Sequence, residues 1–189
     1  MRAVVEDIFH IPIPYYAAFT PESFAKMVDM NGGVPLYVEK NMYHGDAAGE
    51  TDINIFQGYQ TLDGKDATGY MRYLDSNGYV SRTQRQERFI KNFYEDRQKD
   101  FGLSNAFFMY RLWHNVDSNI PAKDMAELAF DFRSVTADNI NFYILPGEMA
   151  PGGKNSDNKY YWTYDPVEVQ KVIGRTNNAI SAAPKPDDT

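Results

Sequence analysis

The sequence predicts an α/β domain, and three observations predict it. Strand-like and helix-like apolar spacings alternate along the chain, helical stretches open on cap or proline signals, and Gly and Pro mark the changes of period. At 189 residues the chain is long enough for one domain with a real core, since a chain of about 150 residues buries roughly 70% of its unfolded surface. The expected organisation is one domain over residues 1–175, followed by a polar, Pro- and Asp-containing disordered tail at 176–189.

The elements follow in order. Pro14 to Phe19 reads as a short strand that ends at Thr20-Pro21-Glu22, with Thr20 as a helix cap and Pro21 at the first helical position. Phe24, Met27, Val28 and Met30 continue at helical spacing, Gly32-Gly33 stops the helix, and Val34 to Val38 is extended. A loop spans Asn41 to Thr51, Asp52 to Phe56 alternates as a strand, and Gly58 marks a turn. Asp63 caps a helix whose apolar positions Ala67, Tyr70, Met71 and Leu74 share a face, which leaves Arg72 at its C-terminal end.

After the Ser76-Asn77-Gly78 turn, a helix from about Arg82 to Lys99 carries Arg82, Arg85, Gln86, Phe89 and Phe93 in one broad stripe, at about 100° per residue. Pro121 to Arg133 reads as a helix with Met125, Leu128, Ala129 and Phe132 on one face and Ser118-Asn119 as its capping pair. Asn139 to Leu145 reads as a strand ended by Pro146-Gly147. Asp165-Pro166-Val167-Glu168 opens a last helix with a cap, Pro at the first position and Glu three residues after the cap.

Composition excludes several function classes. With 26 acidic and 19 basic residues the net charge is −7, which argues against nucleic-acid binding or adhesion to an anionic membrane through overall charge. There is no cysteine, hence no disulfide, thiolate zinc site or cysteine nucleophile. No stretch reaches the roughly 18 to 20 apolar residues that span a bilayer, and Met1 to His10 lacks the pattern of a signal peptide. Aromatics make up 15% of the chain, enough for a wide apolar surface with polar tips.

Against that acidic background the basic cluster Arg72, Arg82, Arg85 and Arg88, with Gln86, stands out. A guanidinium is a planar, permanently charged fork matched to phosphate oxygens, and Arg82 and Arg85 fall near a helix start, where free N–H groups already favour an anion. The cluster predicts a phosphate or pyrophosphate site. Arg88 reads as a surface ion-pair residue, and Asp75 as a group that orients an arginine. His10, His44 and His114 show no ligand spacing, and the acidic loop from Gly45 to Asp52 reads as solvated. The metal ligands therefore stay unassigned.

Tyr15-Tyr16, Phe24 to Asp29, Gly32-Gly33-Val34, Gly58 to Gly64, Tyr70-Met71-Arg72, Arg82 to Gln86 and Leu145-Pro146-Gly147, in that order from about Ala3 to Ile173, resemble the LytR-CpsA-Psr family. The resemblance implies an α/β/α sandwich with a central mixed sheet, flanking helices and a long hydrophobic tunnel for a polyprenyl chain. It implies a bacterial phosphotransferase that moves a glycopolymer, such as teichoic acid or capsule, from a polyprenyl-pyrophosphate carrier to peptidoglycan. It further implies Mg2+, an extracytoplasmic location at the membrane or cell wall, attachment through a membrane anchor, and no nucleic-acid partner.

Carried over by position, Arg72, Arg82 and Arg85 are the implied catalytic arginines. Gln86 and Asp75 are implied at the head group, and Phe89, Ile90 and Phe93 at the lipid end, with Leu128 and Phe132 as further contributors. Leu74 and Tyr79 depart from the family's second arginine and its acidic position. The implied upstream half, with the acidic metal ligands, is expected before Met1, so the chain reads as an N-terminally truncated member. The alternative is a catalytically incomplete relative that only binds polyprenyl phosphate or wall glycan.

Overall fold

The structure, a computed structural model, describes residues 2–45, 52–99, 103–131, 135–149 and 161–182. Close contacts divide the chain into two compact units, Met1–Pro14 with Tyr143–Thr189, and Tyr15–Phe142.

The larger unit begins with the two-residue strand β1 (Ala17–Ala18) and helix α2 (Pro21–Met30), which follow α1 (Arg2–Phe9) of the other unit. Helix α2 starts where its sequence signals place it. The Thr20 hydroxyl accepts the Ser23 amide at 3.1 Å and the Ser23 hydroxyl accepts the Thr20 amide at 2.8 Å, a reciprocal cap that contributes about 1 kcal/mol. Strand β2 (Val34–Val38) is followed by a hairpin of β3 (Met42–His44) and β4 (Ile53–Ile55), then by β5 (Gly58–Leu62). β5 returns antiparallel beside β2, with Val34 opposite Leu62 and Tyr37 opposite Tyr59.

Period-two alternation sorts the β2 side chains: Val34, Leu36 and Val38 are buried, Pro35 and Tyr37 exposed. Gly33 makes the sharp entry possible, because its φ is +91° and an added Cβ would lie 2.9 Å from the Leu62 carbonyl oxygen. β5 leads into α3 (Gly64–Arg72), whose cap is Asp63, accepting the Asp66 amide at 2.8 Å. At Gly64 the chain passes so close to α2 that a Cβ would stand 2.3 Å from the Ala25 carbonyl oxygen.

Helix α4 (Gly78–Lys99) begins four residues before its expected start. Gly78 adopts φ +70° and donates its amide to the Asp75 carbonyl at 2.9 Å, so the turn closes and helical winding resumes at once. The unit continues with α5 (Leu103–Trp113), β6 (Asp117–Ser118), α6 (Ala122–Asp131) and a 3-10 turn at Ala137–Asn139. The core gathers Met27, Val28, Val34, Leu36, Val38, Met42, Ile53, Ile55, Leu62, Ala67, Tyr70, Phe89 and Phe108. Burial of one such large side chain contributes roughly 1.5–3 kcal/mol.

The smaller unit holds α1, the strand pair β7 (Gly147–Met149) with β8 (Trp162–Tyr164), and α7 (Pro166–Ala182), against which α1 packs. The Asp165 carboxylate accepts the amides of Val167 at 2.9 Å and Glu168 at 3.1 Å, the expected cap.

The α/β class is as expected, but the strands are arranged differently from a central mixed sheet. Among the described residues they form four separate two-stranded ladders, all antiparallel. The strands run only two to five residues, and the β3–β4 connection, with no helix among the described residues to carry a parallel crossover, returns antiparallel. Ser118 and Asn119 do not cap α6. They join β1 instead: the Ser118 hydroxyl donates to the Tyr16 carbonyl at 2.7 Å and the Asn119 side chain accepts the Tyr16 amide at 2.8 Å.

The stretch from Asn139 to Leu145 is not a strand. The Ile140 amide is taken by the Ala137 carbonyl at 3.1 Å, Pro146 has no donor, and pairing begins only at Gly147. Helix α7 continues through Thr176 to Ala182, into the expected tail, because nothing in Asn177 to Ala182 interrupts a helix before Pro184. Residues 183–189 and Phe132 lie outside the described residues.

Candidate functional site

The chain from Asp63 to Phe93 sets the geometry. Helix α3 ends at Arg72, Tyr73 is its cap, and the turn over Asp75 to Gly78 delivers α4 back across the end of α3. The Gln86 side-chain amide closes this corner by donating to the Met71 carbonyl at 3.2 Å.

Arg85 lies at the centre and has no solvent exposure. Its Nη1 donates to Ser81 Oγ at 2.7 Å and to Asp75 Oδ2 at 3.2 Å, and its Nη2 donates to the Tyr73 carbonyl. Glu39 Oε1 lies 3.6 Å from Nη1, and the guanidinium carbon is 5.3 Å from the centre of the Tyr73 ring. A buried arginine is tolerable only when paired in this way. Both terminal nitrogens of Arg85 are thus spent on the protein, and its buried Nε has no hydrogen-bond partner among the described residues.

Asp75 is its principal partner, with a side chain only 5% exposed. It also receives Lys40 Nζ, Ser81 Oγ at 2.8 Å and the Asn77 amide at 2.9 Å. The Lys40 hydrogen bond, helped by those of Ser81 and Asn77, outweighs burial and holds the Asp75 carboxyl well below the usual carboxylate range. Asp75 thus holds the Arg85 guanidinium in the corner.

Glu39 joins the corner from the end of β2. It accepts the Tyr70 hydroxyl at 3.2 Å and pairs with Arg88 at 3.1 Å. Burial, reinforced by the Glu39 charge, pushes the Tyr70 phenol up to about 12. Glu39 and Lys40 were not evident in the sequence; the signal was a charged pair standing directly after the apolar strand Val34 to Val38.

Of the three implied catalytic arginines, Arg82 and Arg72 are the ones available to a ligand. Arg82 is half-buried, its guanidinium 4.7 Å from the centre of the Tyr79 ring. Arg72 is exposed and lines a cavity of about 870 Å³ with Pro21, Glu22, Asp29, Lys65 and Thr68 among its neighbours. Arg82, Arg85 and Gln86 do not line that cavity, so the structure joins Gln86 to the end of α3 but gives Arg72 a separate setting. The corner is a positive spot on an acidic chain, with Lys40, Arg82, Arg85 and Arg88 outnumbering Glu39 and Asp75.

The residues expected at the lipid end divide. Phe89 and Phe93 belong to an aromatic run in which Phe24 and Phe89 lie 5.4 Å apart, Phe89 and Phe93 6.4 Å, and Phe93 and Phe108 6.2 Å. Ile90 points away from it and is 43% exposed, because one residue turns a helix by about 100°. Leu128 is exposed. No group of three or more His, Asp or Glu residues suited to a metal ion occurs among the described residues. No helix there is long and apolar enough to cross a membrane.

Known proteins place this geometry in a family. The chain is 23% identical over 181 residues to the polyisoprenyl-teichoic acid--peptidoglycan teichoic acid transferase TagU of Bacillus licheniformis, covering 94% of this chain and 55% of that protein. It is 25% identical over 180 residues to TagU of Bacillus subtilis, covering 93% and 55%. The chain thus spans about half the length of these curated relatives. The fold is similar to that of B. subtilis TagV, with a TM-score of 0.74 at 20% identity over 95% of this chain and 69% of that one. It is also similar to TagT bound to LI-WTA, with a TM-score of 0.67 at 20% identity over 96% and 66%. The LytR_cpsA_psr family model matches residues 1–178, nearly the whole sequence, and the chain belongs to that family.

Proposed function

We propose that this chain is part of a phosphotransferase that attaches a wall glycopolymer, carried on polyprenyl pyrophosphate, to peptidoglycan on the extracytoplasmic side of a bacterial membrane. The observation that carries the reading is the buried Arg85–Asp75 pair, which fixes the corner that Gln86 closes and beside which Arg82 stands. Support comes from the transferase names of its relatives and from the family match over residues 1–178.

In this reading a sugar hydroxyl of the acceptor attacks the glycan-bearing phosphorus, and the bond to polyprenyl phosphate breaks. Charge spreads over the phosphate oxygens, so positioned cations are the chief requirement. Arg82 and Arg72 contact the pyrophosphate, Gln86 donates to an oxygen, and Arg85 with Asp75 acts as the positioning pair. Phe89 and Phe93 lie toward the prenyl chain. The described residues offer no cluster that fits the implied Mg2+, and no step is assigned to it.

Leu74 and Tyr79, which depart from the family's second arginine and its acidic position, favour a second reading, a relative that binds the lipid-linked glycan without transferring it. Transfer of a labelled lipid-linked saccharide to a glycan acceptor separates the two. Turnover lost in Arg82→Ala supports the transferase, whereas lipid binding with no turnover supports the binder.

A further inference from the structure

The outer face of the β2–β5 ladder has no role in the core or in the arginine corner. Tyr37 and Tyr59, directly opposite in register, form an edge-to-face pair with ring centres 4.9 Å apart. Tyr59 is 88% exposed, an unusual position for a ring that the core could have used. With Pro35, Gln60, Thr61, Arg88, Asn92 and Lys99 the pair lines a groove of about 610 Å³.

This lining has a definite chemistry. Exposed phenol rings offer flat apolar faces to the C–H faces of sugar rings, the Thr61 hydroxyl faces the same side, and Gln60 and Asn92, whose amide nitrogens each donate to a backbone carbonyl, keep a second N–H and a carbonyl oxygen for sugar hydroxyls. The charged residues on the groove are Arg88 and Lys99, with no carboxylate among its lining, on a chain of net charge −7. Arg88 spends Nη1 on Glu39 at 3.1 Å and Lys99 pairs with Asp96 at 3.3 Å. Each cation has further donors for a carboxylate.

The groove also reaches the arginine corner. Arg88 lies one helical turn beyond Arg85, and both pair with Glu39, so a ligand seated against Arg88 ends beside the corner.

We propose that this groove, lined by Tyr37, Tyr59, Gln60, Asn92, Arg88 and Lys99, seats the acceptor: a glycan strand bearing more than one carboxylate, with a sugar ring on Tyr59 and carboxylates at Arg88 and at Lys99 in turn. The proposal rests on the transferase reading and adds to it where the acceptor lies. The occupant is a saccharide because the face combines exposed aromatic rings with amides, and an anionic one because the charged groups lining the groove are cations.

The test is calorimetric titration of the full chain with a soluble peptidoglycan tetrasaccharide that retains its peptide carboxylates, and in parallel with a short polyprenyl pyrophosphate. Tyr59→Ala is expected to weaken saccharide binding tenfold or more, and Tyr59→Trp, which keeps a ring, to restore it. Removing the carboxylates from the probe is expected to weaken binding to the parent and to weaken binding to Lys99→Ala by a smaller factor. Thermal unfolding of Tyr59→Ala checks that an exposed residue has been removed without loss of the fold. Equal affinity of the parent and Tyr59→Ala for the saccharide would overturn the proposal, and so would an absence of saccharide binding by the parent. The lipid titration judges the transferase reading separately: lipid bound without saccharide removes the acceptor groove alone, and binding of neither removes both.

Discussion

Arg85 Nη1 and Asp75 Oδ2 lie 3.2 Å apart in a corner where the arginine has no solvent exposure and the aspartate side chain has 5%. An ion pair so placed is sensitive to loss of either partner, because the remaining charge stays buried without its counterion. Asp75→Asn is expected to destabilise the fold by about 3 kcal/mol, and Arg85→Ala by a similar amount. The double variant should cost clearly less than the sum, since the two residues share one network. Urea unfolding of the three variants and the parent measures this; strict additivity would show that the pair is not coupled.

The same pair gives the chain an acid limit. Asp75 has a folded pKa below its unfolded value, so its contribution is complete above about pH 4 and is lost as pH falls through the folded value. Stability should therefore drop below pH 4 in the parent, and Asp75→Asn should lose much of that dependence. Unfolding midpoints between pH 2 and 6 are the measurement, and an unchanged acid slope in the variant would assign the limit to other carboxylates.

Tyr70 sets a limit at the other end. Its phenol titrates at about 12, above the ordinary value of 10, so its contribution is present below pH 10 and is lost as pH rises from 10 toward 12. The loss is on the order of 2 kcal/mol. Tyr70→Phe should lose this part of the alkaline dependence, after an initial cost from the hydroxyl bond to Glu39. The measurement is the difference in phenolate absorbance between the folded parent and Tyr70→Phe, and a difference that develops fully near pH 10 would contradict the assignment.

The legible parts of this molecule are those set by neighbouring residues. Thr20, Asp63 and Asp165 announce their helices because a cap is a local hydrogen bond, and Val34 to Val38 announces its strand by alternation. The cluster of Arg82, Arg85 and Gln86 was also legible as a group. The division of labour within it was not, because the partners of Arg85 come from β2 and from the turn after α3: Glu39 is 46 positions away in sequence and Asp75 lies ten back. Asn139 to Leu145 misled for the opposite reason, since an apolar alternating run becomes a strand only beside a partner. Helix α5 passed without a signal, its apolar residues forming no clear stripe.

Gly64 makes a local test of how tightly the site-bearing helix is seated. An alanine Cβ at that position would come 2.3 Å from the Ala25 carbonyl oxygen and 2.8 Å from the Ala25 Cα, both backbone atoms, so relief requires α3 to move off α2. The Gly64 amide also donates to the Asp29 carboxylate at 2.7 Å, a bond such a shift would stretch. Gly64→Ala should cost about 1–3 kcal/mol and should displace Arg72 at the far end of the same helix. Thermal unfolding reads the first effect and affinity for a short polyprenyl pyrophosphate the second.

Arg82 and Arg72 are expected to behave in the reverse way. Neither is buried, so Arg82→Ala and Arg72→Ala should change stability by no more than about 0.5 kcal/mol. A charge-assisted bond to phosphate contributes about 1.5–3 kcal/mol, so each substitution should weaken binding of polyprenyl pyrophosphate by roughly 10- to 100-fold. The readout is the rise in melting temperature on adding lipid, because a ligand that binds the folded state stabilises it. Since Arg72 faces its own cavity with Lys65 and Thr68, loss from Arg82→Ala with no loss from Arg72→Ala would place the head group at the α3–α4 corner alone. Equal loss from both would require the lipid phosphate to bridge the two settings. An undiminished shift in both variants would remove the arginines from the head-group site.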